Sequence, residues 1–304
     1  MFWRLLAALS SLALLAGAAR AEVPLRWDST GHVVVPAAVN GKGPFDFILD
    51  TGADESAVYA WFARLLDLPK GRTSVLSGAT GVQPMVGARV ASLTVDGHAI
   101  RNIDADTVPD RVDGAKLAGV AGVDLMLGQL LAIDFGCNTA ALLPLRDAPV
   151  DIAGPGATLV RAGSIRGGRQ LTLPVTVNGA PGVAVLDTGA RATSINLKFA
   201  LAAGADPLSS AFRDGEPSRG ATMTPAAARV GTIGTVRFAG LTRTDAVARV
   251  VDLPYLQSAG LANSPAMNMG LDLLRGTRLT VDYSSRRFWL AQSRCAASPA
   301  KPAL

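Results

Sequence analysis

"AVLDTGARATSINL", Ala184–Leu197, reads as an apolar strand that ends in Asp-Thr-Gly-Ala. A near copy, "FILDTGADESAVY", occupies Phe47–Tyr59. In both, an apolar run delivers an Asp to a loop, and the Gly permits a tight turn there. One such Asp could simply cap the following turn. Two of them, each closing a strand-like run at the same place in a longer repeat, ask for a paired role.

The repeat extends outward from these stretches. "VVVPAAVNGKGPFDFILDTGADESAVYAWFA", from Val33, aligns with "LTLPVTVNGAPGVAVLDTGARATSINLKFA", from Leu171, with one residue lost. "SGATGVQPMVGARV" (Ser77–Val90) resembles "RGATMTPAAARV" (Arg219–Val230). "VAGVDLMLGQLLAIDF" (Val120–Phe135) resembles "NMGLDLLRGTRLTVDY" (Asn268–Tyr283). Three blocks in the same order indicate a duplicated unit of roughly 130 residues. The Gly-, Pro- and Asp-rich run Arg146–Ala157 separates the copies. The halves are therefore placed at 22–148 and 161–296, with a linker at 149–160 and an Ala/Pro-rich tail at 297–304.

Short apolar or alternating runs separated by turn residues make the chain mostly β. Asn40-Gly41 and Asp96-Gly97 read as hairpin turns. "GTVRFAGLTRTDAVARVV" is the second-half counterpart of the latter hairpin. Helix is expected only at Ser56–Leu66 and Asn196–Ala203, with short helical turns at Val123–Leu127 and Leu271–Leu274.

Residues 1–21 carry Arg4, an apolar stretch and the small-x-small run Ala19-Arg20-Ala21, the pattern of a secretory signal. An exported protein, periplasmic or secreted, is expected; an uncleaved N-terminal anchor is the alternative. No other apolar run is long enough to span a membrane. The net charge of +5 comes from scattered Arg, and aromatics are only 5%, which argues against nucleic-acid binding. The two cysteines, Cys137 and Cys295, form no C-x-x-C, and His32 and His98 are the only histidines. No metal site or cofactor is expected. A Cys–His catalytic pair is formally possible, but solitary polar or core residues are the plainer reading. No G-x-S-x-G motif supports a serine nucleophile.

With "ILDTGADESAV" and "VLDTGARATSI" each followed by an apolar-apolar-Gly block ("GVAGVDLM", "MNMGLDLL"), the chain resembles the pepsin and retropepsin superfamily of aspartic proteases. The resemblance runs from Val33 to Leu290. The Ala after each Gly, the short halves and the G-x-D-L block look more like the retroviral-type enzymes, here as a fused single chain. The resemblance implies a bilobal, mostly β fold made of two tandem retropepsin-like β-barrel halves with a cleft between them. It implies an aspartic endopeptidase that acts on polypeptides, as a monomer, without a cofactor. Asp50 and Asp187 would be the catalytic dyad. Thr51 and Thr188 would lock the two loops together, and Gly52 and Gly189 would approach the substrate backbone. Gly78-Ala79-Thr80 and Gly220-Ala221-Thr222 would be substrate-binding flaps.

Two other roles remain open from the sequence. One is an exported peptide-binding module that keeps the fold with little turnover; the other is a structural protein of the envelope. Retroviral enzymes carry Arg after the Gly of the closing block, whereas Val123 and Leu271 stand here. Asp54 thus lacks that Arg partner, and Arg191 stands at its place in the second half. Cys137 and Cys295 each follow the last strand of a half. In this fold those ends run close together, so a disulfide is expected, two unpaired thiols being the alternative. It would close a loop of about 158 residues, worth ~4–5 kcal/mol in the chain-entropy model.

Overall fold

In the computed structural model, which describes residues 22–145 and 150–295, Asn40 and Gly41 both take positive φ (52° and 75°). That turn folds Val33–Val39 back on Lys42–Leu49. Asn178 and Gly179 do the same for Leu171–Val177 and Ala180–Leu186. Asp96-Gly97 joins Gly81–Val95 to His98–Val108, and Ala239-Gly240 joins Arg229–Phe238 to Leu241–Val250. The expected leader and tail fall outside the described residues, as does the boundary at 148.

Each half closes into a six-stranded barrel. In the first, the cyclic order is Val33–Val39, Lys42–Leu49, Gly119–Ala121, Ala57–Tyr59, His98–Val108 and Gly81–Val95. Ala38↔Thr94 pairing shuts the ring. In the second, the order is Leu171–Val177, Ala180–Leu186, Ala266–Met269, Ser194–Ile195, Leu241–Val250 and Arg229–Phe238, shut at Val175↔Phe238. The alternating apolar residues of these strands fill the interiors, with Val33, Val39, Phe47, Val177, Leu186 and Val236 fully buried. The fold is the expected pair of tandem barrels.

The helix expected over Ser56–Leu66 begins later. Ala57–Tyr59 is a buried strand inserted between His98–Val108 and Gly119–Ala121, and only Ala60–Leu65 is helical. Partners on both sides outweigh the local helical pattern, because they satisfy the backbone of a segment that must be buried. Phe62 of the helix packs edge-on against Phe45 and Phe47 and is sealed from solvent. Burying such a ring is worth about 1.5–3 kcal/mol. The second-half helix Leu197–Ala202 forms where expected, with the Asn196 side chain accepting from the Phe199 N–H at 2.9 Å.

A six-stranded sheet joins the barrels. Its order is Val23–Pro24, Thr139–Pro144, Gln129–Asp134, Thr277–Asp282, Arg287–Gln292 and Thr158–Arg161. Gln129–Asp134 of the first half and Thr277–Asp282 of the second meet at its centre, from Leu130↔Asp282 to Asp134↔Arg278. The linker is partly regular: Val150–Ala153 is a helical turn, and Thr158–Arg161 extends this sheet. Cys137 and Cys295 are disulfide-bonded beside it, with Cα atoms 5.0 Å apart. Among the described residues no helix is long and apolar enough to cross a membrane.

Candidate active site

The parallel pairing of Lys42–Leu49 with Gly119–Ala121 places Asp50 where its strand leaves the barrel. Its N–H still reaches the Ala121 carbonyl at 3.0 Å. Ala180–Leu186 and Ala266–Met269 repeat this, with the Asp187 N–H on the Met269 carbonyl at 3.1 Å. The two aspartates thus emerge from twofold-related crossings and face each other. The space is so tight that a Cβ on Gly52 would strike the Asp187 carboxyl, and one on Gly189 would strike that of Asp50. Only Gly admits this approach.

Thr51 and Thr188 interlock reciprocally, and both are fully buried. The Thr51 hydroxyl donates to the Leu186 carbonyl (3.0 Å) and accepts the Thr188 N–H (3.0 Å). The Thr188 hydroxyl donates to the Leu49 carbonyl (2.6 Å) and accepts the Thr51 N–H (3.0 Å). Each buried hydroxyl both donates and accepts, so none of the four groups is stranded in a low-dielectric site.

A second brace was not singled out from sequence. The Ser56 hydroxyl donates to Asp124 (2.7 Å) and accepts the Gly122 N–H (3.1 Å). Thr193 makes the equivalent bonds to Asp272 (2.6 Å) and from Gly270 (3.1 Å). The signal was present: a hydroxyl six residues after each dyad Asp, and an Asp two residues after the Gly of each closing block. This hydroxyl–carboxylate pair ties each aspartate loop to its short helical turn. Asp54 has another partner: its carboxylate accepts the Arg169 N–H at 2.7 Å, and the Arg169 guanidinium reaches its carbonyl at 3.2 Å.

One feature breaks the twofold pattern at the carboxylates. Asp187 accepts N–H groups from Gly189 (2.9 Å) and Ala190 (3.0 Å) on Oδ1, and the Asn268 side-chain amide donates to its Oδ2 at 2.6 Å. The Tyr255 hydroxyl donates to Asn268 Oδ1 at 2.5 Å. An ionised carboxylate can only accept, so the amide nitrogen faces Asp187 and the amide oxygen is left to take the Tyr255 hydroxyl proton. At the matching place the first half has Val120, which offers no amide, and Asp50 accepts the Gly52 N–H at 2.7 Å. Asn268 was not foreseen, because its repeat partner is apolar.

These contacts separate the two carboxyls electrostatically. Burial, then the charge of Asp187, push Asp50 well above the usual carboxylate range. Burial also raises Asp187, but Asn268 and a hydrogen bond from Asp50 oppose that rise. Two facing buried carboxyls cannot both ionise cheaply, so the pair titrates as a unit, and the donors on Asp187 favour its charged form over that of Asp50.

The dyad opens into a cleft of about 860 Å³ between the halves. The hairpin of Lys70–Gly78 and Gly81–Val95 brings Gly78, Ala79 and Thr80 to the same cleft, and the hairpin of Ser218–Arg219 and Pro225–Ala226 brings Gly220 and Ala221. The two tips touch: the Gly220 N–H donates to the Thr80 hydroxyl at 2.9 Å. Thr222 is buried at this junction. Ser74, Gln170 and Ser218 also line the cleft, and each has a buried side-chain oxygen without a hydrogen-bond partner. His32 lines it too, its imidazole pushed down to about 3 by burial and by the charges of Arg111 and Arg191. It is neutral at any ordinary working pH.

No curated protein matches the chain. A family model for aspartyl proteases matches residues 35–129 and 173–273, one stretch in each half and together more than half of the chain. With two barrels, two matched repeats and an Asp-Thr-Gly loop in each, the chain belongs to the aspartyl protease family.

Proposed function

We propose that the chain is an aspartic endopeptidase in which Asp50 and Asp187 activate one water between them. The observation that carries this reading is the facing pair of carboxyls, held on interlocked loops at the base of a cleft capped by two hairpins. An extended peptide would lie between the dyad and the hairpin tips. The unpartnered oxygens of Ser74, Gln170 and Ser218 offer hydrogen bonds to its backbone.

The proton inventory closes over one turnover. Ionised Asp187 takes a proton from the water as its oxygen attacks the scissile carbonyl carbon, and Asp50 gives its proton to the carbonyl oxygen. The result is a neutral gem-diol. On collapse, Asp187 passes its proton to the leaving nitrogen and Asp50 takes one back from a gem-diol hydroxyl. The C–N bond breaks, an acid and an amine leave, and the dyad returns to its starting state. The leader sequence fits work outside the cytoplasm, in the periplasm or medium, by a monomer that already holds both aspartates in one chain.

The test is cleavage of a mixed peptide library by residues 22–304 from pH 3 to 8, with and without a statine-type inhibitor. Inhibitor-sensitive cleavage that resists chelators is the expected outcome. Asp50→Asn and Asp187→Asn should each reduce kcat by about 10³-fold or more while the protein stays folded, because residues acting as a unit are not additive. Substantial activity in either variant would overturn the dyad. Peptide binding without turnover by the unaltered chain would assign it the peptide-binding role instead.

A further inference from the structure

The pseudo-twofold axis that relates the aspartates also relates side chains of opposite charge. Four residues past the dyad Asp, the first half has Asp54 and the second has Arg191. Seven residues past it stand Ala57 and Ser194, whose parallel partners are Asp106 and Arg249. Asp54, Glu55 and Asp106 line the cleft on the first-half side, and Arg191 and Arg249 line it on the second-half side. Equivalent positions around one cleft therefore carry acid at one end and base at the other.

Within each end, like charges are held against one another. Burial and the charge of Glu55 raise the Asp106 carboxyl. Burial and the charge of Arg191 lower the Arg249 guanidinium. Arg249 is 8% exposed, yet its hydrogen bond goes to the Glu216 carbonyl, and Arg191 reaches the Thr30 carbonyl. Among the described residues neither arginine is ion-paired with a carboxylate. Glu216 and Asp272 act on Arg249 only at longer range. At the acidic end Arg72 pairs with Glu55 at 2.6 Å and lies 3.9 Å from Asp106, and the Arg169 guanidinium sits on the Asp54 backbone carbonyl at 3.2 Å, so three carboxylates still outnumber two cations. Arg72 is half exposed and free to swing toward water. A buried charge without a counter-ion is costly, and a ligand of opposite charge removes that cost.

We propose that the cleft selects an extended peptide with opposite charges on side chains equidistant from the scissile bond, a Lys or Arg at the Asp54–Glu55–Asp106 end and an Asp or Glu at the Arg191–Arg249 end. This rests on the cleft being the peptide site of the proposed endopeptidase. The equal spacing follows from the twofold: equivalent residues contact substrate positions equally far from the dyad, on opposite sides. Arg111, the other cleft arginine on the first half, is already paired with Asp113 and adds little net charge.

The experiment uses three peptide sets of one length, with charged residues at mirrored positions about a central apolar pair: base then acid, acid then base, and neutral. One charged order should exceed both its reverse and the neutral set by about tenfold or more in kcat/KM at low salt. The advantage should shrink in 0.5 M NaCl. Arg249→Gln should erase the preference at the acidic side chain, and Asp106→Asn that at the basic one. Equal rates for the two orders, or a neutral set that is best, would overturn the proposal on the unaltered chain alone, even if a variant failed to fold. If no peptide of any set is cut, the protease reading fails. Fluorescence anisotropy of the same peptides then decides the charge reading: tighter binding of one charged order supports it, and indifference overturns it.

Discussion

Asn268 removes the equivalence of two aspartates that the repeat would otherwise make alike. Its amide stabilises the charged form of Asp187, while Val120 offers Asp50 nothing comparable. The sign follows from which state is bonded. A donor on the carboxylate opposes protonation, so it holds the Asp187 pKa down against the rise that burial causes. In the proposed mechanism activity should fall on the acid side when Asp187 gains its proton, and on the alkaline side when Asp50 loses its own. Asn268→Val, which copies the first half, should therefore move the acid limb of kcat/KM upward and leave the alkaline limb nearly in place. A charge-assisted hydrogen bond is worth about 1.5–3 kcal/mol, so the shift should be about one to two pH units. Tyr255→Phe, which only frees the amide to rotate, should give a smaller shift in the same direction. A full pH profile of each variant checks this. A uniform loss of rate with both limbs unmoved would mean that Asn268 is only structural. His32, held neutral down to about pH 3, adds no limb of its own near neutrality.

At the level of elements, the tips of the two hairpins over the cleft can meet because glycine stands at the contact. A Cβ on Gly220 would lie 2.7 Å from the Ala79 nitrogen, and one on Gly78 would lie 3.1 Å from the Ala221 nitrogen. Gly220→Val must therefore part the tips. Its hairpin is a two-stranded excursion outside both barrels, so the melting temperature should hardly change. Cleavage of a standard peptide should fall by about tenfold or more in kcat/KM, since closure positions substrate and excludes water. Unchanged kcat/KM would mean that tip contact plays no part in the working state. The flap tips, the Asp-Thr-Gly loops and the Asn-Gly and Asp-Gly hairpins were legible in the sequence because local chemistry dictates them: positive φ at Asn40 and Asp96, and repetition in order. Ala57–Tyr59 was misread as helix because its strand form depends on partners far along the chain. Asp106 and Arg249 carried no signal for the same reason. Only the parallel pairing with Ala57 and Ser194 brings them beside the dyad loops.

For the whole molecule, the dyad exists only while two barrels stay in register, and three devices hold them there. The interlocked threonines act at the cleft floor. The shared sheet acts beneath it, and the Cys137–Cys295 bond pins the sheet's end. Asp134 links sheet and bond, accepting the Cys137 N–H (2.9 Å) and the Ser293 hydroxyl (2.6 Å). Cys295 follows its half's last strand as expected, but Cys137 lies in the turn between Gln129–Asp134 and Thr139–Pro144, and the sheet that brings the two together is a tertiary product. The bond spans 158 residues, and in the chain-entropy model a loop of that size is worth about 5 kcal/mol. Replacing both cysteines by serine should lower the unfolding free energy by up to that amount, and the urea midpoint with it. The shared strands and threonines are untouched, so the halves should still unfold together in one transition, with a somewhat larger m-value because the unfolded chain loses its cross-link. Urea melts followed by circular dichroism and by Trp fluorescence check this. Coincident curves are expected. Curves that separate would show that the disulfide, rather than the sheet, couples the barrels. In that case peptide cleavage by the double variant should be lost at urea concentrations where one barrel is still folded.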